Sequence, residues 1–330
     1  MSLLPTALGA AVAATAATAL ARRRRTVAAV DAELRLPVMW LPLVVASRLE
    51  LGVGRRFFLP ATRPVDGVTV TPHAVPGGRD VLVYDVPGRT DRTGVLLWIH
   101  GGGLVMGTPE VDHLTCSRMA RELGIVVVSV RYRLAPEHPF PAGLDDCAAA
   151  LRWLVASCDE LGVDDRRIAV GGGSAGGGLA ASLAQRATDE GIRLAFQSLV
   201  FPMLDDRTVL RRDHRGRGRL VWTPRSNRWA WAAYLGRRPA LGASRQYAAA
   251  ARREDLTGLP PAWIGVGDLD LFHDEDLEYA RRLREAGVAV QLHVQPGMPH
   301  GIDVAGDGPA TRAFVGSWFE ALRAALAPVG

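Results

Sequence analysis

A serine that could act as a nucleophile lies in the segment Gly172-Gly-Ser-Ala-Gly176, which matches the pattern G-x-S-x-G. An apolar run ends just before it near Val170, and a helical pattern begins at Ala175. The small residues around Ser174 permit a sharp strand-to-helix turn, which would expose the hydroxyl group and direct the Ala175 N–H toward a developing negative charge. A glycine-rich phosphate loop or an ordinary tight turn is the alternative, but no G-K-[ST] sequence follows. The segment therefore predicts a nucleophilic serine.

A second glycine-rich segment, His100-Gly-Gly-Gly103, directly follows the apolar run at residues 95–99. Three successive glycines leave no side chain between the backbone N–H groups and a bound oxyanion. We expect the N–H groups of Gly101 and Gly102 to form an oxyanion hole together with that of Ala175. His100 itself is expected to order the loop and not to transfer protons.

A serine nucleophile needs a histidine base and a carboxylate that orients it, and in this type of site the acid precedes the histidine along the chain. His300 has the right order and lies in a loop at residues 296–301, beyond the last predicted strand. Asp270 follows the strand predicted at residues 263–266, but Asp268 and Asp274 compete with it, and spacing alone does not separate the three. The other histidines are weaker candidates: His73, His113, His138, His214, His273 and His293.

These candidates lie at the ends of short apolar runs, which alternate with helical patterns after about the first sixty residues. Residues 68–75 and 81–86 alternate like an opening antiparallel pair of strands. Six near-continuous apolar strands follow, at residues 95–99, 125–130, 167–170, 194–201, 263–266 and 288–294. Helical spacing is found at residues 112–123, 144–157, 175–187, 274–286 and 310–326. The alternation predicts an α/β fold with a mainly parallel, doubly wound sheet.

The alternation fails between residues 205 and 256, where an arginine-rich segment leads into a tryptophan-rich one. An insertion of this size between two strands is typical of a lid or cap. Trp222, Trp229 and Trp231 are candidates for lining a substrate pocket there, or for contacting a lipid interface.

The net charge of +5 on 330 residues comes from two arginine runs, at residues 22–25 and 211–219. Without these nine arginines and Asp213, 30 basic residues stand against 33 acidic ones. The rest of the chain therefore has no basic face with interleaved aromatic residues, and we expect no nucleic-acid partner. The three cysteines show neither disulfide nor zinc spacing, which favours a reducing cytoplasm.

The N-terminal residues 2–20 carry no charge and end against the first arginine run. A secretory signal has its positive charges before the apolar stretch, whereas here they follow it. The stretch is rich in alanine and threonine, so we expect a soluble or interfacial helix, with a membrane anchor or a disordered tail as alternatives. A second apolar stretch, residues 36–45 with Trp40, is expected to pack on the body or on lipid.

Six ordered motifs across roughly residues 70–325 resemble the hormone-sensitive lipase family of α/β-hydrolases, the bacterial family IV esterases. They are the His100-Gly-Gly-Gly loop, Tyr132-Arg-Leu-Ala-Pro-Glu-His-Pro-Phe-Pro-Ala142, Gly173-Ser-Ala-Gly-Gly177, Phe201-Pro-Met-Leu-Asp-Asp-Arg-Thr208, Asp270-Leu-Phe-His-Asp-Glu275 and His300-Gly301. The resemblance implies an α/β-hydrolase fold and carboxylic ester hydrolysis without a cofactor or metal. It also implies a preference for short-to-medium acyl chains.

Carried over by motif, the resemblance assigns Ser174 as nucleophile, Asp270 as acid and His300 as base. It divides the chain into a first cap part at residues 1–60, core at 61–204, a second cap part at 205–256, and the rest of the core at 257–330. The family usually has an acidic residue or threonine before the nucleophile and phenylalanine two residues after the histidine, where this chain has Gly173 and Ile302. Substrate size is therefore not inherited from the family.

The combined prediction is a serine carboxylesterase that acts on a small-molecule ester through an acyl-enzyme. An acyltransferase or deacetylase with the same triad, and a non-catalytic ligand binder with the same fold, are the alternatives. We expect a cytoplasmic protein, and leave open both membrane-surface contact through the N-terminal segment and a homodimer, which rests on family analogy alone.

Overall fold

The computed structural model describes residues 4–41, 44–57, 60–90, 92–240, 242–301 and 306–327. Eight strands form one sheet in the order β1-β2-β4-β3-β5-β6-β7-β8. The first two strands pair antiparallel, β2 is antiparallel to β4, and the other neighbours are parallel. The strands are β1 Thr69–His73, β2 Val81–Asp85, β3 Thr93–Ile99, β4 Val126–Val130, β5 Val163–Gly173, β6 Phe196–Val200, β7 Ala262–Gly267 and β8 Val290–Gln295. The predicted fold class is confirmed.

Helices cover both faces of the sheet. They are α1 Leu4–Ala28, α2 Arg48–Phe57, α3 His113–Leu123, α4 Ala142–Ala156, α5 Ala175–Asp189, α6 Pro224–Leu235, α7 His273–Glu285 and α8 Pro309–Leu326. The five helices predicted from apolar spacing are all present, while α2 and α6 lie in segments where we predicted no particular helix. No helix in the described part of the chain is long and apolar enough to cross a membrane.

Strand β3 shows how the sheet is held between two hydrophobic layers. Val95, Leu97 and Ile99 point into the layer that contains α4, α5 and α7. Leu96 and Trp98 point into the opposite layer, which contains α3 and α8. Because successive side chains of a strand point to opposite faces, a continuous apolar run is what a strand buried on both faces requires.

The candidate catalytic residues lie at one edge of this sheet, which we call the catalytic edge: the carboxyl ends of β3, β5, β7 and β8. These strands are parallel, so the loops that follow them meet on the same side of the sheet. The His100 loop follows β3, Ser174 follows β5, Asp270 follows β7 and His300 follows β8.

Two segments distant in sequence lie together over this edge: residues 36–60, in the described parts, and the insertion around α6. The Val45 N–H donates to Ser226 Oγ at 3.1 Å, and Glu50 lies 3.8 Å from Arg225. Helix α6 is preceded by Thr223, whose hydroxyl accepts from the Ser226 N–H, and it is followed by Gly236 in the left-handed conformation with φ 64°. We call these two segments the cap.

Candidate active site

Ser174 occupies a strained turn between β5 and α5. Its φ and ψ are 56° and −119°, a combination that costs roughly 1–3 kcal/mol for a residue with a side chain. The surrounding backbone holds the turn in place: the Ser174 N–H donates to Val200 O at 2.8 Å, and its carbonyl accepts from the N–H groups of Gly178 and Met203 at 3.0 and 2.9 Å. A serine in this turn projects its hydroxyl away from the sheet, as the sequence pattern predicts.

The turn also depends on glycine at Gly176, in the first turn of α5. A Cβ atom there would lie 2.0 Å from the carbonyl oxygen of Ile99, the last residue of β3. Only a residue without a side chain lets α5 start this close to the neighbouring strand. The end of β3, which leads into the His100 loop, is thereby brought next to the serine.

Three side chains from separate loops form a hydrogen-bonded chain. Ser174 Oγ lies 2.7 Å from His300 Nε2, and His300 Nδ1 lies 2.8 Å from Asp270 Oδ2. Their side chains are nearly inaccessible, since Ser174 is 8% exposed, His300 is 5% exposed and Asp270 is fully buried. An ionised carboxylate can only accept a hydrogen bond, so the Nδ1 atom that faces Asp270 is the one that carries a proton. In the neutral imidazole, the unprotonated nitrogen is then Nε2, which faces the Ser174 hydroxyl. That arrangement is suited to removing the hydroxyl proton.

The structure separates the three aspartates that the sequence left in competition. Asp270 Oδ1 accepts from the Phe272 N–H at 2.9 Å, which leaves Oδ2 for His300. Asp268 instead accepts from the Gly297 N–H at 2.8 Å, and Asp274 binds two arginines of the insertion. Only Asp270 of the three contacts the histidine in the described structure.

Aromatic rings enclose His300 on two sides. The ring centroid of Phe201 lies 4.8 Å from that of His300, and the centroid of Phe272 lies 5.1 Å from it, both edge-on. These contacts fix the plane of the imidazole and keep water from its flanks, which strengthens its hydrogen bonds.

The glycine loop after β3 lies beside the serine. Gly101, Gly102 and Gly103 line the same cavity as Ser174, and a Cβ atom on Gly101 would be 3.6 Å from that of Ser174. Gly102 has a φ of 116°, and its carbonyl accepts from the Val105 and Met106 N–H groups. Ala175, the third predicted donor, is the first residue of α5, where N–H groups point toward the helix start.

His100 is held as a neutral, structural side chain. It is 1% exposed, its Nδ1 donates to Gly101 O at 2.8 Å, and its ring stacks on Tyr132 with centroids 4.3 Å apart. Burial lowers the pKa of His100 to about 4. Tyr132 fixes the loop further, because its hydroxyl donates to the His100 carbonyl at 3.0 Å.

A cavity of about 570 Å³ opens at Ser174 and lies between the catalytic edge and the cap. Both cap segments line it, with Leu36 and Val45 from the first and Val221 and Trp222 from the second. Its volume falls in the range typical of small-molecule sites. Among the described residues that line it, Asp112 is the only side chain with a formal charge.

The three predicted pocket tryptophans lie in different surroundings. Trp222 lines the cavity, and a Cβ atom on Gly103 would lie 2.2 Å from its ring, so the indole covers the glycine loop. Trp231 is buried in the hydrophobic layer, with its ring 5.9 Å from that of Tyr234. Trp229 is half-buried against the same layer, and it is not one of the described residues that line the cavity.

Two polar contributions were not anticipated from the sequence. The Trp98 indole N–H donates to Asp112 Oδ2 at 2.7 Å in the cavity wall, which orients that carboxylate. Buried Glu275 accepts from the Leu204 and Asp205 N–H groups, so it joins two of the quoted motifs, and burial raises its pKa to about 8. The sequence signal that marked Glu275 is its place at the end of the family motif Asp270-Leu-Phe-His-Asp-Glu275.

Two other expectations concern metals and Ile302. Within the described ranges, no group of three or more histidine, cysteine, aspartate or glutamate side chains is placed to hold a metal ion. Ile302, which replaces the family's phenylalanine, lies outside the described residues.

Comparisons with known proteins define the class. A family model described as alpha/beta hydrolase fold matches residues 96–304. Carboxylesterase NlhH of Mycobacterium tuberculosis is 38% identical over 279 residues, covering 79% of this chain and 80% of that protein. Ethyl acetate hydrolase of Pseudomonas putida is 36% identical over 219 residues, covering 62% and 64%. A solved structure titled Bacterial Heroin Esterase superposes with a TM-score of 0.82 at 38% identity, covering 92% of this chain and all of that one.

The chain therefore belongs to the α/β-hydrolase family. Within it, the esterase relatives confirm the predicted hormone-sensitive lipase type and the prediction of a carboxylic ester hydrolase.

Proposed function

We propose that this protein is a serine carboxylesterase in which Ser174, His300 and Asp270 form the catalytic triad. Ser174 Oγ attacks the ester carbonyl carbon while His300 Nε2 takes the hydroxyl proton and passes it to the leaving alcohol. Water, deprotonated by His300, then attacks the carbonyl carbon of the acyl-enzyme, the bond from that carbon to Ser174 Oγ breaks, and His300 returns the proton to Oγ as the acid leaves. Asp270 holds the imidazole and stabilises its charged form.

The N–H groups of Gly101, Gly102 and Ala175 stabilise the negative charge that develops on the carbonyl oxygen. The loss of one such donor typically costs roughly 3 kcal/mol of transition-state stabilisation. No cofactor has a role in this scheme, because the nucleophile, base and electrostatic groups are all supplied by the chain.

The observation that carries the proposal is the series of hydrogen bonds itself, 2.7 Å from Ser174 to His300 and 2.8 Å from His300 to Asp270, with Ser174 and His300 lining the cavity under the cap. The lining of the cavity indicates which class of substrate it would accept. Because the described residues that line it are mainly apolar, an ester with a short-to-medium acyl chain would bury its hydrocarbon against Leu36, Val45 and Trp222 of the cap. We propose the two cap segments as the substrate-selecting part of the protein.

The test is hydrolysis of a p-nitrophenyl ester series from acetate to palmitate by the purified protein. Ser174→Ala should lower kcat by about 10⁴-fold or more, with the melting temperature within a few degrees of the wild type. Ser182→Ala is the matched control, since Ser182 is also buried in this region, in α5, and away from the cavity. It should leave kcat within about twofold.

Activity that survives in Ser174→Ala, or a wild-type protein that turns over no chain length, would refute the proposal. A kcat that falls equally in both serine variants would point to damage to α5 and would also count against Ser174 as nucleophile.

A further inference from the structure

Two arginine runs that are far apart in the sequence meet on one face of the molecule. Arg23 Nη1 donates to the carbonyl of Arg219, 196 residues away, at 3.1 Å. Its Nη2 donates to the carbonyl of Leu41 at 2.7 Å. These bonds hold the carboxyl end of α1 against the segment that precedes α6. The positive charge that the sequence divides into two runs is thus concentrated at one place.

A cavity of about 280 Å³ lies between the two runs, and Arg25, Arg215 and Arg219 line it. Arg22 is one helical turn before Arg25 and therefore lies on the same side of α1. All four side chains are exposed. We call Arg22, Arg25, Arg215 and Arg219 the arginine surface. No carboxylate lines this cavity among the described residues; its other walls include Ala29, Leu220 and Leu269.

Two other arginines of the run at residues 211–219 form ion pairs within the protein, unlike those of the arginine surface. Arg211 and Arg217 both bind Asp274, at 2.9 and 3.0 Å, so their charge is neutralised within the protein. Within the described ranges, no ion pair joins the arginine surface to a carboxylate. Unneutralised like charges around one concavity repel one another, and an anion that binds there removes that repulsion. Guanidinium groups match the geometry of phosphate oxygens in particular.

We propose that the arginine surface binds the phosphate groups of an anionic lipid bilayer. The helix that carries Arg22 and Arg25 has no charged residue between positions 2 and 20, and Leu20 beside these arginines is exposed. An apolar side chain next to guanidinium groups suits a surface that meets both the phosphate groups and the hydrocarbon of a bilayer. Apolar walls beside the guanidinium groups suit a lipid better than a nucleic acid, because none of the described residues that line this cavity is aromatic and able to stack on a base.

The location of this surface connects it to the catalytic cavity. Val221, two residues after Arg219, lines that cavity, and so does Leu36, which lies in the segment fastened to α1 through Arg23. A bilayer bound at the arginine surface would therefore lie beside the cap, where an ester could pass from lipid to the cavity. Lipid binding itself does not depend on the triad.

The test is co-sedimentation of the full chain with vesicles of phosphatidylcholine alone and of phosphatidylcholine mixed with phosphatidylglycerol. We expect binding to the anionic vesicles only, weakened by salt. Replacing all four arginines of the surface by glutamine should lower the partition coefficient at least tenfold, because each arginine near an anionic surface strengthens binding by roughly a factor of several. The matched control replaces four exposed arginines elsewhere, Arg166, Arg193, Arg238 and Arg323, by glutamine and should retain binding.

Equal binding to both vesicle types, equal loss in both quadruple variants, or no vesicle binding at all would overturn the proposal. So would salt-sensitive binding to a labelled oligonucleotide or to inorganic phosphate that exceeds binding to vesicles. Hydrolysis of soluble p-nitrophenyl butyrate should be unchanged in the surface variant, which checks its folding. Ser174→Ala should bind vesicles like the wild type, so failure of the catalytic proposal and failure of this one are separable.

Discussion

At the catalytic edge, directional hydrogen bonds of 2.7 and 2.8 Å join Ser174, His300 and Asp270. Across the cavity, the cap presents apolar side chains such as Leu36 and Trp222, which meet a substrate through shape and area alone. The first region tolerates little displacement, because proton transfer and oxyanion stabilisation fail when groups move by an ångström. Changes in the cap, in contrast, should alter substrate binding gradually. Damage at the edge should therefore lower kcat steeply, and damage to the cap should change which ester is preferred.

Asp270→Asn should have the largest effect of the substitutions considered next. An amide at this position favours the wrong tautomer of His300, so kcat should fall by about 10⁴-fold while KM changes little. Asp268→Asn is the control, since Asp268 binds the Gly297 N–H and not the histidine. Steady-state kinetics on p-nitrophenyl butyrate compare the two. If Asp268→Asn lowers kcat more, the acid has been assigned to the wrong residue.

Gly102→Ala tests the glycine loop. A Cβ atom there would lie 2.1 Å from the Met106 carbonyl oxygen, at a φ of 116° that alanine rarely adopts, so the loop must shift. Displacement of its N–H groups should lower kcat by about 10²–10³-fold. Gly101→Ala offers a graded comparison, because its nearest atom would be 3.1 Å away. A smaller loss of kcat in Gly102→Ala than in Gly101→Ala would contradict the predicted order.

The buried imidazole of His100, at the catalytic edge, should make the free energy of unfolding of the protein depend on pH. Its pKa is lowered to about 4, from 6.5, so between these values the unfolded chain binds a proton that the folded protein excludes. The contribution of neutral His100 to the free energy of unfolding is fully present above about pH 6.5. It is lost as pH falls toward 4, and the loss reaches about 2 kcal/mol at pH 5. Urea unfolding of wild type and His100→Asn across this range isolates it. A stability difference between the two proteins that does not vary with pH would count against it.

Trp222→Ala should have the smallest effect and a different character. Opening the space over Gly103 should shift the preferred ester toward longer or bulkier acyl chains, with changes in kcat/KM of about tenfold on single substrates. Trp229→Ala, which removes a tryptophan of the same helix region outside the cavity, should leave the chain-length profile as it is. The p-nitrophenyl ester series measures both. Identical profiles for wild type and Trp222→Ala would remove Trp222 from the substrate-binding residues.

The core of the fold could be predicted because its elements are local patterns. Strands buried on both faces are continuous apolar runs, and the serine turn and glycine loop need small residues at neighbouring positions. Boundaries were less exact: β5 begins at Val163, four residues before the predicted start, because the first residues of this strand are mostly charged and carry no apolar signal. The acid was assigned from the family motif, and its contact with His300 depends on two loops thirty residues apart.

The division of the chain into cap parts at residues 1–60 and 205–256 stays a prediction, and the sequence alone offered no way to predict which side chains face the cavity. Whether a tryptophan faces the cavity depends on contacts between segments far apart in the chain, and these leave no periodic pattern. The meeting of the two arginine runs is of the same kind, since it depends on Arg23 reaching the carbonyl of Arg219. The homodimer and the cytoplasmic location stay predictions.

The hydrogen bond from the Val45 N–H to Ser226 Oγ spans 181 residues of sequence and makes the two cap segments a single unit. Consider the transfer of one contiguous segment of the cap, either residues 36–60 or the insertion around α6, into a related enzyme. Such a transfer would remove either the Val45 N–H or its acceptor Ser226 Oγ and would combine one part of the cavity wall with a partner segment from a different protein. A chimera that carries over a donor's selectivity must therefore transfer both segments together.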